Sequence, residues 1–145
     1  MPFGRGPAVG EQEELDRVIP LVEAVAASTD AVISVDTFNA VVAEAAVLAG
    51  AAVINDTSGY WDERMPGVVA RTGATVVLTH SIHPPRSEPV RPVYADVVAE
   101  VRAHLAALVA RSRAAGIPAD RIVVDPGHDL NKNTLHSLEL VRRLS

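Results

Sequence analysis

Residues 49–58 read Ala-Gly-Ala-Ala-Val-Ile-Asn-Asp-Thr-Ser. This stretch predicts an α/β fold, because a helix-ending glycine leads directly into a short apolar strand that stops at two polar residues. The same unit of glycine, small or branched apolar residue and strand begins at Gly50-Ala51, Gly73-Ala74 and Gly116-Ile117. Such a β/α repeat predicts parallel strands joined by right-handed crossovers. We expect four strands, at residues 31–36, 52–56, 75–80 and 121–125.

Each predicted strand ends in polar side chains. In a parallel α/β sheet these ends share one face, which in barrel enzymes holds the active site. We therefore expect convergence on one small molecule by the strand-end residues Asp36, Asn55, Asp56, His80 and Asp125.

Simpler roles remain open for several of these residues. Asp36 and Thr37 could cap the next helix, and Asn55 could bond to a neighbouring loop. Successive side chains on a strand face opposite sides, so only one of Asn55 and Asp56 should reach a pocket. One division is a ring-binding Asn55 and a structural Asp56.

Composition limits the class of protein. The chain has 145 residues, a net charge of -5 and no cysteine. One domain is expected, without disulfides, thiolate metal sites or a cysteine nucleophile. The acidic balance argues against nucleic-acid binding, and there is no polybasic membrane patch. No apolar run approaches the length of a membrane helix, and the N-terminal residues Met-Pro-Phe-Gly-Arg-Gly-Pro lack the apolar core of a signal peptide, so we expect a cytoplasmic protein.

Helical spacing of apolar residues predicts the elements between the strands. Pro20 should kink or delay the first helix, and Leu135, Leu138 and Val141 should face inward from the last. Four prolines between residues 82 and 92 predict an irregular loop of the kind that carries function. The helices are expected at residues 11–29, 40–49, 65–72, 94–115 and 134–144.

Asp125-Pro-Gly127 leads through a short loop to Lys132 and a helix start. A carboxylate here can accept two donors from an amidine-like edge, and the helix start with Lys132 would suit an anion. The alternative is a capped turn with a solvated lysine.

Metal binding has little support from the sequence. His80, His83, His128 and His136 do not form a zincin pair, and no cysteine joins them. Nucleotide-cradling and serine-hydrolase motifs are also missing.

Several segments together resemble the dihydropteroate synthase family of pterin-binding enzymes. Each motif is weak alone, but their order along the chain is specific. The matching segments are Ser34-Val-Asp-Thr37, residues 49–58, Leu78-Thr-His80, residues 94–101 and Asp125-Pro-Gly127 with Lys132-Asn-Thr-Leu-His136. Gly4-Arg-Gly-Pro7 and residues 13–20 also echo the family.

The resemblance implies a (β/α)8 TIM barrel that is only partial here, covering strands three to six, and a transferase of folate biosynthesis. Members of that family condense a dihydropterin pyrophosphate with p-aminobenzoate. By motif match, Asp125 binds the pterin amino edge, Asn55 the ring, and Asp36 lies beside it, with Lys132 as a fourth pterin-site residue. The resemblance also implies Mg²⁺, although the family's metal-binding asparagine lies on a first strand that this sequence lacks.

Three departures from the family pattern predict that the chain does not turn over. The sequence is about half the family's length, without the strands that supply the pyrophosphate-holding Arg and His. The family's Gly-Phe-Gly is replaced by Asp129-Leu130-Asn131, preceded by His128. Thr79 and Ser81 replace methionines around His80.

These departures leave other functions open. The strongest rival is a non-catalytic paralogue, of a kind found in actinobacteria, or a pterin-binding partner protein. A pterin-dependent methyltransferase domain and a small flavodoxin-like module are further alternatives. The open edges of a barrel arc also predict an unstable or self-associated chain, a homodimer being one such form.

Overall fold

The computed structural model describes residues 9–87 and 92–143. The expectations for residues 1–8 and 88–91, including Gly4-Arg-Gly-Pro7 and part of the proline loop, lie outside the described residues. Helices and strands alternate in the order α1 Glu11–Ser28, β1 Ser34–Asp36, α2 Ala40–Leu48, β2 Val53–Asp56, α3 Met65–Thr72, β3 Thr75–Thr79, α4 Val97–Ala114, a 3-10 turn Ala119–Arg121, β4 Ile122–Asp125 and α5 Thr134–Arg142.

The four strands form one parallel sheet in the order β1-β2-β3-β4. The predicted parallel order is therefore confirmed. Registers align the strand ends, since Asp36 lies opposite Asn55 and Thr79 opposite Asp125. β3 ends at Thr79, which puts His80 one residue beyond the strand. The sheet thus places side chains from four successive strands close together at the carboxyl ends of those strands.

Local sequence signals set most helix ends. Asn39 caps α2 by accepting a hydrogen bond from the Val41 amide, and Gly73, at φ 73°, ends α3 in the left-handed region. α4 starts at Val97, later than predicted, because the Asp96 carboxylate caps the Val98 and Ala99 amides.

The expected delay of the first helix at Pro20 is wrong. α1 runs from Glu11 to Ser28 with Pro20 inside it. Three glutamates in its first turn, Glu11, Glu13 and Glu14, favour a start at that point by opposing the positive end of the helix dipole.

The core lies between the sheet and the helices that cover one of its faces. Ile54, Val76 and Leu78 project from β2 and β3 and are fully buried. They pack with residues such as Ala43 of α2 and Val69 of α3. None of the helices in the described ranges has the length and apolar character needed to cross a membrane.

The expected inward face of α5 is wrong. Leu135, Leu138 and Val141 are 75%, 61% and 60% exposed, whereas Leu140 is buried at 4%. Leu140 joins Val97, Val98 and Val101 of α4 in a small separate cluster. α5 therefore packs through a different stripe from the one that its apolar spacing marks, because α4 is the neighbouring helix that it contacts.

The exposed stripe of α5 leads us to expect self-association of the chain. Replacing both Leu135 and Leu138 by glutamate should shift the species seen by light scattering toward the monomer, because exposed apolar area drives association. The matched control is Leu48→Glu on α2, where a single leucine is 82% exposed. A wild-type chain that is already a stable monomer at high concentration would contradict this expectation.

Candidate small-molecule site at the carboxyl ends of the strands

A cavity of about 720 Å³ opens at the carboxyl ends of the four strands. Every strand contributes at least one side chain to it. The described residues that line it are Glu14, Asp36, Thr37, Phe38, Asn55, Thr57, Ser58, Thr79, Ser81, His83, Pro84, Pro85, Arg86, Ser87, Asp125, Asp129, Leu130 and Asn131. The structure therefore brings together Asp36, Asn55 and Asp125, three of the strand-end residues named from the sequence.

Asp36 and Asn55 lie side by side on adjacent strands. The Asn55 Nδ2 donates to Asp36 Oδ2 at 3.4 Å. Partial burial raises the pKa of Asp36, the charge of Asp56 adds to the rise, and Glu14 contributes in the same direction. The pair offers a planar ring one carboxylate and one amide at neighbouring positions.

Asp125 ends β4 and is held by its own loop. Its Oδ1 accepts a hydrogen bond from the Gly127 amide at 2.9 Å, and its Oδ2 accepts one from the Thr79 hydroxyl at 3.3 Å. A carboxylate has about four lone-pair sites, so both oxygens keep acceptor capacity toward the cavity. The loop thus fixes the orientation of the carboxylate and leaves acceptor positions on both of its oxygens for a ligand.

Gly127 makes this arrangement sterically accessible. Its φ is 62°, and a Cβ at this position would lie 2.6 Å from the backbone oxygen of His80. Only glycine combines the left-handed backbone with so close an approach. The packing of the β4–α5 loop on the end of β3 therefore requires glycine at position 127.

Asp56 faces away from the cavity and is fully buried. Its carboxylate accepts hydrogen bonds from the Ser58 amide at 2.9 Å, the Ser58 hydroxyl at 2.5 Å and the Tyr60 amide at 3.0 Å. Burial raises the pKa of Asp56 despite these bonds. The structure gives this carboxylate the task of shaping the loop after β2.

His80 and Lys132 lie behind the cavity and do not line it. The Lys132 Nζ contacts His80 Nδ1 at 3.0 Å and donates to the backbone oxygens of Gly127 at 2.8 Å and Leu130 at 2.9 Å. Burial lowers the pKa of Lys132 to about 8. Burial, with the charge of Lys132 adding to it, lowers the pKa of His80 to about 4. A neutral His80 can accept from the ammonium, so Lys132 ties the β4–α5 loop to the end of β3.

The role of Asn131 was not predicted from the sequence. The residue adopts a left-handed φ of 53°, a geometry that asparagine tolerates better than most side chains. Its Oδ1 accepts hydrogen bonds from the Ser81 hydroxyl at 3.3 Å and the Ile82 amide at 3.1 Å. Asn131 therefore joins the β4–α5 loop to the β3–α4 loop. Its replacement of a family glycine was the signal that could have revealed this backbone geometry.

A second cavity, of about 650 Å³, adjoins the first and shares Ser58, Ser81 and His83 with it. Trp61 and His104 also line this space. The described residues contain no group of three or more His, Asp or Glu side chains placed to hold a metal ion.

Carboxylates and an amide lie together at the carboxyl ends of the parallel strands. This is the position at which (β/α)8 barrel enzymes bind small molecules. The chain belongs to the pterin binding enzyme family, whose model matches residues 5–145. It is 40% identical over 148 residues to inactive dihydropteroate synthase 2 of Mycobacterium tuberculosis, covering 98% of this chain and 46% of that protein.

Solved structures show the same fold. The dihydropteroate synthase of Stenotrophomonas maltophilia with active site-bound imidazole has a TM-score of 0.91 at 40% identity, covering 94% of this chain and 51% of that one. The Xanthomonas albilineans enzyme with 4-aminobenzoic acid has a TM-score of 0.90 at 37% identity, covering 99% and 50%. The chain spans about half the length of these relatives, so it corresponds to part of a TIM barrel, as expected.

Proposed function

We propose that this chain forms the pterin-binding part of a dihydropteroate synthase-type site of folate biosynthesis. The observation that carries the proposal is the placement of Asp36, Asn55 and Asp125 around one cavity at the ends of three strands. Family membership supports a pterin as the ligand.

The proposed ligand matches the polar groups of the cavity. A pterin has an amidine-like edge with adjacent N–H donors, and a carboxylate can accept both of them. Asp125 supplies that carboxylate, since the bonds from Gly127 and Thr79 leave both of its oxygens with free lone pairs. Asn55 can both donate to and accept from the ring, and Asp36 orients its amide. Lys132 contributes by holding the loop of Asp125 through Gly127 and Leu130.

The reaction proposed for the family site is the condensation of a dihydropterin pyrophosphate with p-aminobenzoate. The arylamine nitrogen forms a bond to the methylene carbon as the carbon–oxygen bond to pyrophosphate breaks. The leaving group takes the electron pair, and the nitrogen then gives up one proton to solvent. The residues of this chain would bind and orient the ring. The structure of the Xanthomonas albilineans relative with 4-aminobenzoic acid supports the second substrate.

A non-catalytic pterin-binding protein is the second candidate. The similarity to a relative named inactive dihydropteroate synthase 2 favours it. A second reason is Lys132, whose three contacts at the ammonium leave it no donor for a pyrophosphate. Both candidates share the pterin site and differ only in turnover.

The proposed site predicts that Asp125→Asn weakens the binding of a dihydropterin about 100-fold or more. Asparagine keeps one oxygen that can accept from the Gly127 amide. Its N–H₂ group, however, faces the N–H donors of the pterin and cannot accept from them. Each lost charge-assisted hydrogen bond is worth about 1.5–3 kcal/mol, and about 2.7 kcal/mol corresponds to 100-fold. Titration calorimetry of the purified chain measures the change.

The matched control for this test is Asp120→Asn. Asp120 is exposed and lies in the turn before β4, at the end of the strand opposite to Asp125. This variant should bind the dihydropterin as the wild type does. An unchanged affinity in Asp125→Asn would show that Asp125 does not bind the pterin.

A further inference from the structure

Thr79 is the last residue of β3 and lies directly beside Asp125, its register partner on β4. It is only 1% exposed, yet it lines the cavity. The Thr79 hydroxyl donates to Asp125 Oδ2 at 3.3 Å. A buried hydroxyl from the neighbouring strand therefore holds one oxygen of the carboxylate that is proposed to bind the ring.

The surrounding chain fixes the orientation of this hydroxyl. Threonine is branched at Cβ, so its side chain has few rotamers available. The methyl group of Thr79 is packed against the β4–α5 loop, since a Cβ on Gly127 would lie 3.0 Å from Thr79 Cγ2. With the methyl group held on that side, the hydroxyl stays on Asp125.

The other groups around Asp125 do not hold its second oxygen. The Gly127 amide donates to Oδ1 at 2.9 Å, and one bond at one oxygen lets the carboxylate plane turn. Burial lowers the pKa of Lys132 to about 8, and the charge of Asp125 opposes that fall, so the two groups attract. The attraction between two charges has no preferred direction. Among the described residues, Thr79 is the one donor to Oδ2.

Recognition of an amidine-like edge depends on the plane of the carboxylate. Hydrogen bonds to sp² oxygens are best when the hydrogen lies near the plane of the acceptor group. Both oxygens can therefore accept from two adjacent N–H donors only when the carboxylate is coplanar with the ring. A carboxylate that turns loses one of the two bonds, and with it the preference for a ring that offers both donors.

We propose that Thr79 is a positioning residue that makes the cavity selective for a 2-amino pterin ring over the analogue with a carbonyl group at that position. The inference rests on the proposed pterin site and deepens it. Methionine, which the family pattern has in place of Thr79, carries no O–H donor. The contact therefore arises from a residue in which this chain departs from that pattern.

Titration calorimetry of the 145-residue chain with a hydroxymethyl dihydropterin and its 2-oxo analogue tests the inference. Thr79→Val removes the hydroxyl and keeps the branched shape. It should bind the dihydropterin about tenfold more weakly, since a hydrogen bond to a charged group is worth at least that factor. Its affinity for the 2-oxo ring should change less, so the ratio between the two ligands should fall. Thr79→Ser keeps the hydroxyl and should retain most of the affinity.

A double-mutant cycle shows whether Thr79 acts through Asp125. In the Asp125→Asn background, Thr79→Val should cause little further loss of affinity, because the carboxylate that it orients has been removed. The matched control is Thr75→Val at the first residue of the same strand, at the opposite end from Asp125. This control should alter neither affinity nor the ratio between the ligands.

Each outcome of these measurements decides between the site and the positioning role. If Thr79→Val proves unfolded in urea denaturation, Thr79→Ala compared with Thr79→Ser isolates the same hydroxyl. If Asp125→Asn loses binding while Thr79→Val binds as the wild type does, the pterin site stands and the inference is wrong. An equal loss for both rings, or an equal loss with and without Asp125, would also overturn it. If the wild-type chain binds no dihydropterin, the proposed site fails, and the inference fails with it.

Discussion

No dihydropteroate should form above the level of a heat-denatured control when the chain is mixed with dihydropterin pyrophosphate and p-aminobenzoate. Negative charge grows on the pyrophosphate as the carbon–oxygen bond breaks, and it needs fixed positive groups close by. Arg86 is the one arginine or lysine among the described residues lining the cavity, while Asp129 and Glu14 add negative charge. Loss of one preorganised donor costs about 2.7–4 kcal/mol of barrier in other enzymes.

A family member with known synthase activity, assayed in parallel, would show that the substrates are competent. The binding experiment on the same preparation separates an unfolded chain from a folded, inactive one. Product that accumulates with time and disappears in Asp125→Asn would contradict the expectation of no turnover. It would mean that positive groups from outside the described cavity, such as those of a second chain, complete the site.

Gly127→Ala should cause the largest loss of stability among single substitutions around the site. A left-handed backbone costs a residue with a side chain about 1–2 kcal/mol. The added Cβ would also lie 2.6 Å from His80 O and 3.0 Å from Thr79 Cγ2, and overpacking of this kind costs about 1–3 kcal/mol more. Urea denaturation should therefore show a loss of about 2–5 kcal/mol, and the displaced loop should no longer bind a pterin.

Gly116→Ala is the matched control for the crowding at Gly127. Gly116 has a positive φ of 93°, but a Cβ there would meet nothing within 4 Å. Only the backbone cost should appear, with dihydropterin binding intact. Equal losses of stability in the two variants would show that the contact between the β4–α5 loop and the end of β3 is not tight.

The order and direction of the strands were predictable because residues at both ends of each strand mark its limits. Gly50 and Gly73 end helices just before strands, and the polar ends of the strands mark where they stop. Parallel pairing then follows from the repeat itself. Asp36, Asn55 and Asp125 consequently lie on one cavity, as their positions at strand ends suggested.

Tertiary packing decided what the sequence pattern could not. The stripe of Leu135, Leu138 and Val141 has regular helical spacing, yet the neighbouring helix α4 selects Leu140 for burial. Lys132 has a similar explanation. Its position before a helix suggested an anion site, but the carbonyl oxygens that surround its ammonium come from a loop geometry that depends on the left-handed Gly127 and Asn131.

A crystal structure of the chain with bound hydroxymethyl dihydropterin tests the proposed site most directly. The amidine edge of the ring should lie within about 2.7–3.2 Å of the Asp125 carboxylate oxygens, with the Asn55 amide hydrogen-bonded to the ring. A ring bound instead in the neighbouring cavity beside Trp61 and His104, or elsewhere on the surface with Asp125 free, would contradict it.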